Sequence, residues 1–428
     1  MQSLDDSYLA AVLYYTMPQK RETFIPYTAK DVIQMCLRDG RLNQSDERSF
    51  ESLSQLLSSI FHFEFHRELE ALKDAYSPFD PDSDTQPLDP LSEEDKASTQ
   101  SRLLTGLTNI LEKANYQQIG RHELEQALSE SSMFKIRLDV EFEDFQEVVF
   151  FARGEHGKEE VINKLLGLKK ETIEFDLYDR VVVYVRFKEQ TYFDEHKRKN
   201  LNFTPGSTVL KLFSSVPKAD LEILFPNVKV KMRGIDKILI GIPAAIGGIA
   251  MLMTKLLSVI ALIVAVILFW LGMGKEPVID AKALIAAGAG MGAAAGYILK
   301  QVGKFKNRKI GFLKALTDQL YFKNLDNNAG VIFNLITSAE EEEVKEAVLA
   351  YYFLLTNGSS LSEADLDQMI EQWFQTNRNC SLDFDIKDAI HKLQRLGLAQ
   401  NESNLWTVIP LNEATRKLDE IWDGYYKF

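Results

Sequence analysis

Apolar residues recur at helical spacing over residues 45–75, at Phe50, Leu53, Leu57, Phe61, Phe65, Leu69 and Leu72, which predicts an amphipathic helix. Residues 98–130 repeat the pattern through Leu103, Leu107, Leu111, Leu124 and Leu128. Between them "SPFDPDSDTQPLDPLSEED" is rich in proline and acid, which predicts a mobile acidic loop over 77–97. From Phe134 the period falls to two. "FKIRLDVEFED" and "TIEFDLYDRVVVYVRFKE" alternate, and "EVVFFARG" between them reads as a strand ending at Gly154. Together they predict a small antiparallel sheet packed on the helices, an α+β arrangement. "FSSVPKADLEILFPN" reads as a short helix between Pro217 and Pro226.

Near the C-terminus, Thr337 and Glu340 form a capping box ahead of "EEEEVKEAVLAYYFLLTNG", which ends at Gly358. Ser362 opens a second helix, "FDIKDAIHKLQRLGL" is a third, and "AQNESNLWTVIPL" reads as a hairpin before a closing helix. Helix, helix, helix, wing is a winged-helix-like order. From Ser338 onward there are 17 acidic and 8 basic residues, so nucleic acid is not an expected partner, because phosphate neutralisation needs a basic face.

The centre of the chain has a different pattern. Three apolar blocks, 238–254, 256–274 and 283–299, are separated only by a lysine or a short turn. A helix of 19 residues rises about 28 Å, close to the thickness of a bilayer core. "LLSVIALIVAVILFWLGMG" is apolar on every side, so the expectation is a transmembrane hairpin over 234–303, with spans at about 253–273 and 281–300. The first block reads as the bent start of the first arm. Gly288, Gly292 and Gly296 fall on one helix face, a small-residue stripe suited to close packing within the hairpin or to self-association. Gly288, Gly290 and Ala293 also fit a dinucleotide loop, but neither a preceding strand nor a following acid accompanies them.

Charge orients this expectation. Lys229, Lys231, Arg233 and Lys237 precede the apolar region, and Lys300, Lys304, Lys306, Arg308 and Lys309 follow it. Such collars suit an anionic lipid surface and keep both termini on the cytoplasmic side. The lipid bilayer is therefore an expected partner. The whole chain, 428 residues with a net charge of -13, has two cysteines far apart. Neither a disulfide framework nor a zinc ribbon is expected. The N-terminus lacks the composition of a secretory or transit signal.

"RETFIPYTAKDVI", "VLKLFSSVPKADLEILFPNVKVKM", "YFKNLDNNAGVIFNLI" and "EEVKEAVLAYYFLL" resemble the uncharacterised membrane family, built on a domain of unknown function, that includes animal transmembrane protein 143 and plant and cyanobacterial relatives. The resemblance covers roughly residues 20–425. It implies a central transmembrane hairpin and supplies no reaction. With this N-terminus it favours a bacterial inner or thylakoid membrane over a mitochondrial one.

Candidate chemistry is sparse. His62 and His66 stand at i, i+4 with Glu70 a turn on, a spacing that can hold a metal. The interleaved Phe61, Phe63 and Phe65 favour a mixed polar and core face instead, and no metal, cofactor or catalytic residue is expected. Asn324, Asp326 and Asn328 could contact a polar headgroup or an ion, or cap neighbouring turns. The expected organisation is 1–130 helical, 131–233 α+β with antiparallel strands, 234–303 hairpin and 304–428 winged-helix-like. The expected function is a non-enzymatic, membrane-anchored scaffold or regulatory interaction protein. The alternatives are a subunit of an oligomeric transporter or channel, and a metal-dependent hydrolase using His62 and His66.

Overall fold

A computed structural model describes residues 21–86, 88, 91–120, 122–124, 137–164, 169–199, 201–231 and 320–425, with residues 266–273 and single positions between 264 and 314. In chain order the elements are α1 (Ala29–Arg38), α2 (Gln44–Tyr76), α3 (Glu93–Lys113), β1 (Gln117–Gln118), β2 (Arg137–Asp139), β3 (Phe145–Lys164), β4 (Lys169–Phe187), α4 (Gln190–Glu195), β5 (Thr208–Pro217), β6 (Lys229–Lys231) and β7 (Asn324–Asn327). Then follow α5 (Ala329–Asn357), α6 (Glu363–Arg378), α7 (Ile386–Arg395), β8 (Ala399–Glu402), β9 (Leu405–Val408) and α8 (Leu411–Gly424).

Short polar residues start most of the helices. Thr28, Asn43, Ser92, Ser362 and Asp385 each accept a first-turn backbone N–H through the side chain, satisfying donors that the helix leaves unpaired. α5 begins differently. Asn328 takes a positive φ of 51°, and its amide oxygen accepts the Leu210 N–H at 3.2 Å while its amide nitrogen donates to Asp82 at 2.5 Å. The expected capping box at Thr337 is therefore not a helix start. Thr337 lies inside α5 and its hydroxyl donates to the Phe333 carbonyl.

Five antiparallel strands form the main sheet in the order β1-β3-β4-β5-β7. Residues 181–185 of β4 are all buried, because both faces of the sheet are covered. Val182 and Tyr184 join the helical core with Phe151, Leu210 and Leu212. On the second face a ring cluster forms, with Phe203 stacked 3.9 Å from Phe187 and 5.5 Å from Phe193. A continuous apolar run is what a strand buried on both faces requires. β3 does not end at Gly154. It passes through that residue at φ 68°, with the Asp179 side chain against the spot where a Cβ would stand, and continues to Lys164. Beyond Pro217, residues 218–224 form a short helix of the 3-10 type where the sequence predicts one.

α5 is the axis of the larger compact unit, which gathers residues of 1–130, 142–224 and 323–428. It packs against α1, α2, α3, α6 and α7, and its residues from Glu342 to Leu354 are all buried. Tyr352 donates to Asp39, which also accepts from Trp373 Nε1, each at 2.8 Å. The segment 21–29 is strapped to the same helix. Ile25 N–H donates to Glu342 at 2.6 Å, the Ile25 carbonyl accepts from Lys345 at 2.8 Å, and Glu342 and Lys345 pair with each other. Segments that the sequence assigns to separate regions thus share one core. Phe79 in the acidic loop is buried in it as well. At the C-terminal end, α5, α6 and α7 are followed by the β8–β9 hairpin, and Leu361 bridges Trp406 of β9.

A second compact unit gathers residues of 131–141 and 225–322. Its β2 and β6 pair antiparallel, with Arg137 opposite Lys231, and Asn227 donates to the Glu141 carbonyl at 2.8 Å. No helix among the described residues is long and apolar enough to cross a membrane. The expectation of an α+β membrane protein is therefore corrected to an α+β chain with a small antiparallel sheet. The integral location, with both termini on the cytoplasmic side of a bacterial inner or thylakoid membrane, is corrected with it. Residues 232–263 and 274–280 lie outside the described residues, as do most positions of 281–299.

The clamp on Ile25 sets a stability test. Lys345→Met leaves Glu342 buried without its cation and is expected to cost about 3–5 kcal/mol. Replacing both, Glu342→Gln with Lys345→Met, should lose markedly less than Lys345→Met alone. Urea unfolding of the three variants decides it, and equal losses would contradict the clamp.

Candidate functional site

Residues 340–346 carry five glutamates and a lysine, which face four different parts of the fold. Glu340 lies 3.1 Å from His62 Nδ1, and Glu341 accepts the Ala29 N–H at 3.2 Å. Glu342 and Lys345 hold Ile25. Glu343 and Glu346 turn toward α7, where Lys392 Nζ stands 3.1 Å from Glu343, 2.5 Å from Glu346 and 2.7 Å from Asp388. Glu346 also accepts from Asn115 at 3.2 Å. A helix can fan its side chains this way because successive residues are rotated by about 100°.

Burying charge is costly unless it is paired and hydrogen-bonded. Burial by itself would lower Lys392, but Glu346, Glu343 and Asp388 hold it far above the ordinary lysine value. Three carboxylates around one ammonium leave an excess of negative charge in a dry place. Burial accordingly raises Glu343, and it pushes Glu346 up to about 7 against the pull of Lys392. The carboxylate oxygens of Glu343, Glu346 and Asp388 lie within 4.8 Å of one another, a spacing a metal ion could use. The cation at their centre is the ammonium of Lys392.

Above this cluster opens a cleft of about 670 Å³. One wall is α2, the other is α7, and Lys113 at the end of α3 closes one side. Two ion pairs brace it. Arg395 forks onto Glu64 at 2.6 and 2.8 Å and lies 6.0 Å over the Phe61 ring. Lys113 reaches Glu68 at 2.7 Å and lies 5.1 Å over Phe65. Tyr425 adds a hydrogen bond to Glu64 at 3.2 Å.

The residues singled out from the sequence are used differently. His62 is exposed and pairs with Glu340, His66 is exposed, and Glu70 pairs with Lys73 at 2.8 Å. Among the described residues, the one three-ligand cluster includes none of the three. Asn324, Asp326 and Asn328 come together at β7 and the start of α5. Asp326 accepts from Asn334 at 3.1 Å and Asn328 joins β5 to Asp82, while the Asn328 side chain makes no cap hydrogen bond to the first turn of α5. Gly288 lies outside the described residues. Gly292 and Gly296 are helical, with nothing within 4 Å of a Cβ added at either. Lys229 and Lys231 lie in β6, and Lys300 and Lys306 are exposed. Arg233, Lys237, Lys304, Arg308 and Lys309 lie outside the described residues.

Sequence reasoning missed the carboxylate–lysine cluster. The signal was a lysine at 392 on the apolar stripe of α7, beside Ile390 and Leu393, where an unpaired lysine is rarely tolerated. A second feature lies in the smaller unit. Val264, Val266, Ile267, Leu268, Phe269, Trp270, Leu271 and Met273 are all solvent-exposed, Trp270 at 89% and Met273 at 71%.

The raised Glu346 carries a pH signature. Its folded pKa of about 7 exceeds the ordinary 4.5, so the folded state holds the proton more tightly. The stability this contributes is complete below the unfolded value and is lost as pH rises through the folded one. Glu346→Gln is expected to remove about 1–3 kcal/mol of the fall in stability between pH 5 and pH 8. Unfolding midpoints of variant and parent across that range test this, and parallel curves would refute it.

Comparison with known proteins adds one relation. No solved structure matches the chain. Residues 178–330 match the model of a family described as a protein of unknown function (DUF3754), a match that runs from β4 to the first residues of α5 and that links the chain neither to transmembrane protein 143 nor to a membrane family.

Proposed function

We propose that this protein is a non-enzymatic interaction protein that associates with a second copy of itself through the exposed apolar run at 264–273. The observation that carries the reading is the run itself. Its large side chains are consecutive in sequence, so on a helix they point in every direction, and all of them are exposed. Contiguous apolar surface of this kind marks an interaction site on a folded protein.

A second copy is the partner that suits it. One flat surface covers only one side of such a helix, whereas two copies bring two identical runs, and a twofold contact between like surfaces is self-complementary. Gly292 and Gly296, four residues apart with open space at their Cα atoms, add a face that a neighbouring helix can approach closely. The charged groups of the larger unit support a non-catalytic role, since the carboxylates of the cleft are each committed to an internal cation.

Sedimentation equilibrium of the purified full chain is the test. The expected result is a mass of at least two chains, reduced to one chain by Phe269→Asp with Trp270→Asp, with the helical circular dichroism unchanged. A parent protein that sediments as a single chain, or an assembly that ignores both substitutions, would overturn the proposal.

A further inference from the structure

The cleft between α2 and α7 holds basic groups that its ion pairs do not use. Each carboxylate that lines it is bonded to a cation: Glu64 to Arg395, Glu68 to Lys113, and Glu343 and Asp388 to the Lys392 that they share with Glu346. The reverse does not hold. Arg67 and His391 line the same cleft from opposite walls, both are exposed, and neither has an ion pair or hydrogen bond among the described residues. In a chain of net charge -13, two basic groups in one cleft with no acid bonded to either are free to take a ligand.

We propose that this cleft binds a small anion with an apolar tail, its carboxylate or phosphate taken by Arg67 and His391. A guanidinium is built for this task, because its fork of donors matches the geometry of both headgroups, and an imidazole N–H supplies a further donor. The tail has a place to lie. Phe61, Phe65 and the exposed Ala71 line the cleft among its charged residues. Its volume of about 670 Å³ falls within the range of small-molecule sites, which combine apolar walls with a few convergent polar groups. The same geometry disfavours a cation. An ammonium ligand would have to displace Arg395, Lys113 or Lys392 from a carboxylate already bonded at 3.1 Å or less. The site lies within the larger unit and does not depend on self-association of the chain.

Isothermal titration of the full chain with four probes tests this. Phenyl phosphate and phenylacetate present the two headgroups on the same tail, inorganic phosphate lacks the tail, and benzylamine reverses the charge. At least one tailed anion is expected to bind once per chain, and which one binds more tightly identifies the headgroup. Inorganic phosphate and benzylamine should each bind about tenfold more weakly or not at all. Arg67→Gln is expected to weaken the better anion by about tenfold or more. Arg67 is exposed, so the variant should fold, and its circular dichroism would verify that. Benzylamine binding as tightly as the anions, an Arg67→Gln variant with unchanged affinity, or no heat from either tailed anion would each overturn the proposal. The double substitution at Phe269 and Trp270 should leave this binding unchanged. Loss of binding in that variant would move the anion to the apolar run and overturn the cleft.

Discussion

Four buried charged residues on one turn and a half of α5, Glu342, Glu343, Lys345 and Glu346, constrain the rest of the larger unit. Their partners come from widely separated parts of the chain: Ile25 ahead of α1, Asn115 after α3, and Lys392 on α7. A buried carboxylate that loses its cation costs several kcal/mol. A slip of α5 by one residue would therefore strand several of them at once. Apolar packing tolerates interchange among Leu, Ile and Phe of similar volume. A set of ion pairs does not, because each carboxylate must find a donor at hydrogen-bond distance in one direction. This supplies the chain with a specific register for α5 that its apolar face alone would not dictate.

The same constraint explains why the N-terminal and C-terminal helices share one core. The sheet lies between them in sequence, yet α5 packs on α2 and α3 and also touches β5 and β7. Asn328 is the hinge of this arrangement, joining β5 and Asp82 through its side chain and backbone N–H, and the first turn of α5 through its carbonyl, which accepts the Val331 N–H. Asn adopts a positive φ more readily than most residues, so the chain can turn there from a strand directly into a helix.

Local signals in the sequence were therefore legible and long-range ones were not. The helix over 45–75 corresponds to Gln44–Tyr76, Ser362 caps α6, and the hairpin after α7 falls at 399–408. Each of these rests on spacing or on a cap within a few residues. The run "EEEEVKE" carries no local sign of its burial, because consecutive charges ordinarily mark a solvated face, and here their partners lie 46 to 320 positions away. Thr337 and Glu340 matched a capping box for the same reason: the motif was present, but Glu340 serves His62 and the helix was already under way. His62 and His66 have correct helical spacing for a metal, yet spacing says nothing of the acid that a distant segment brings to the first of them. The apolar blocks of 238–299 invited a span, whereas no helix among the described residues is both long and apolar enough to be one.

Paired and unpaired charges in this protein divide along a structural line. Carboxylates that face the interior each hold an ammonium, a guanidinium or a backbone N–H, and these groups have already lost most of their freedom to bind anything else. Breaking such a pair exposes an orphaned charge as well as freeing a ligand site. What remains available for recognition is therefore what the internal network leaves over: the unmatched Arg67 and His391 at the cleft, and the exposed side chains from Val264 to Met273. These remainders differ in physics. The first is directional and electrostatic, so it selects a ligand by headgroup. The second is non-directional and scales with the area covered, so it selects a partner by complementarity of surface. Because the cleft's carboxylates are paired internally, these two modes of binding stay independent of each other.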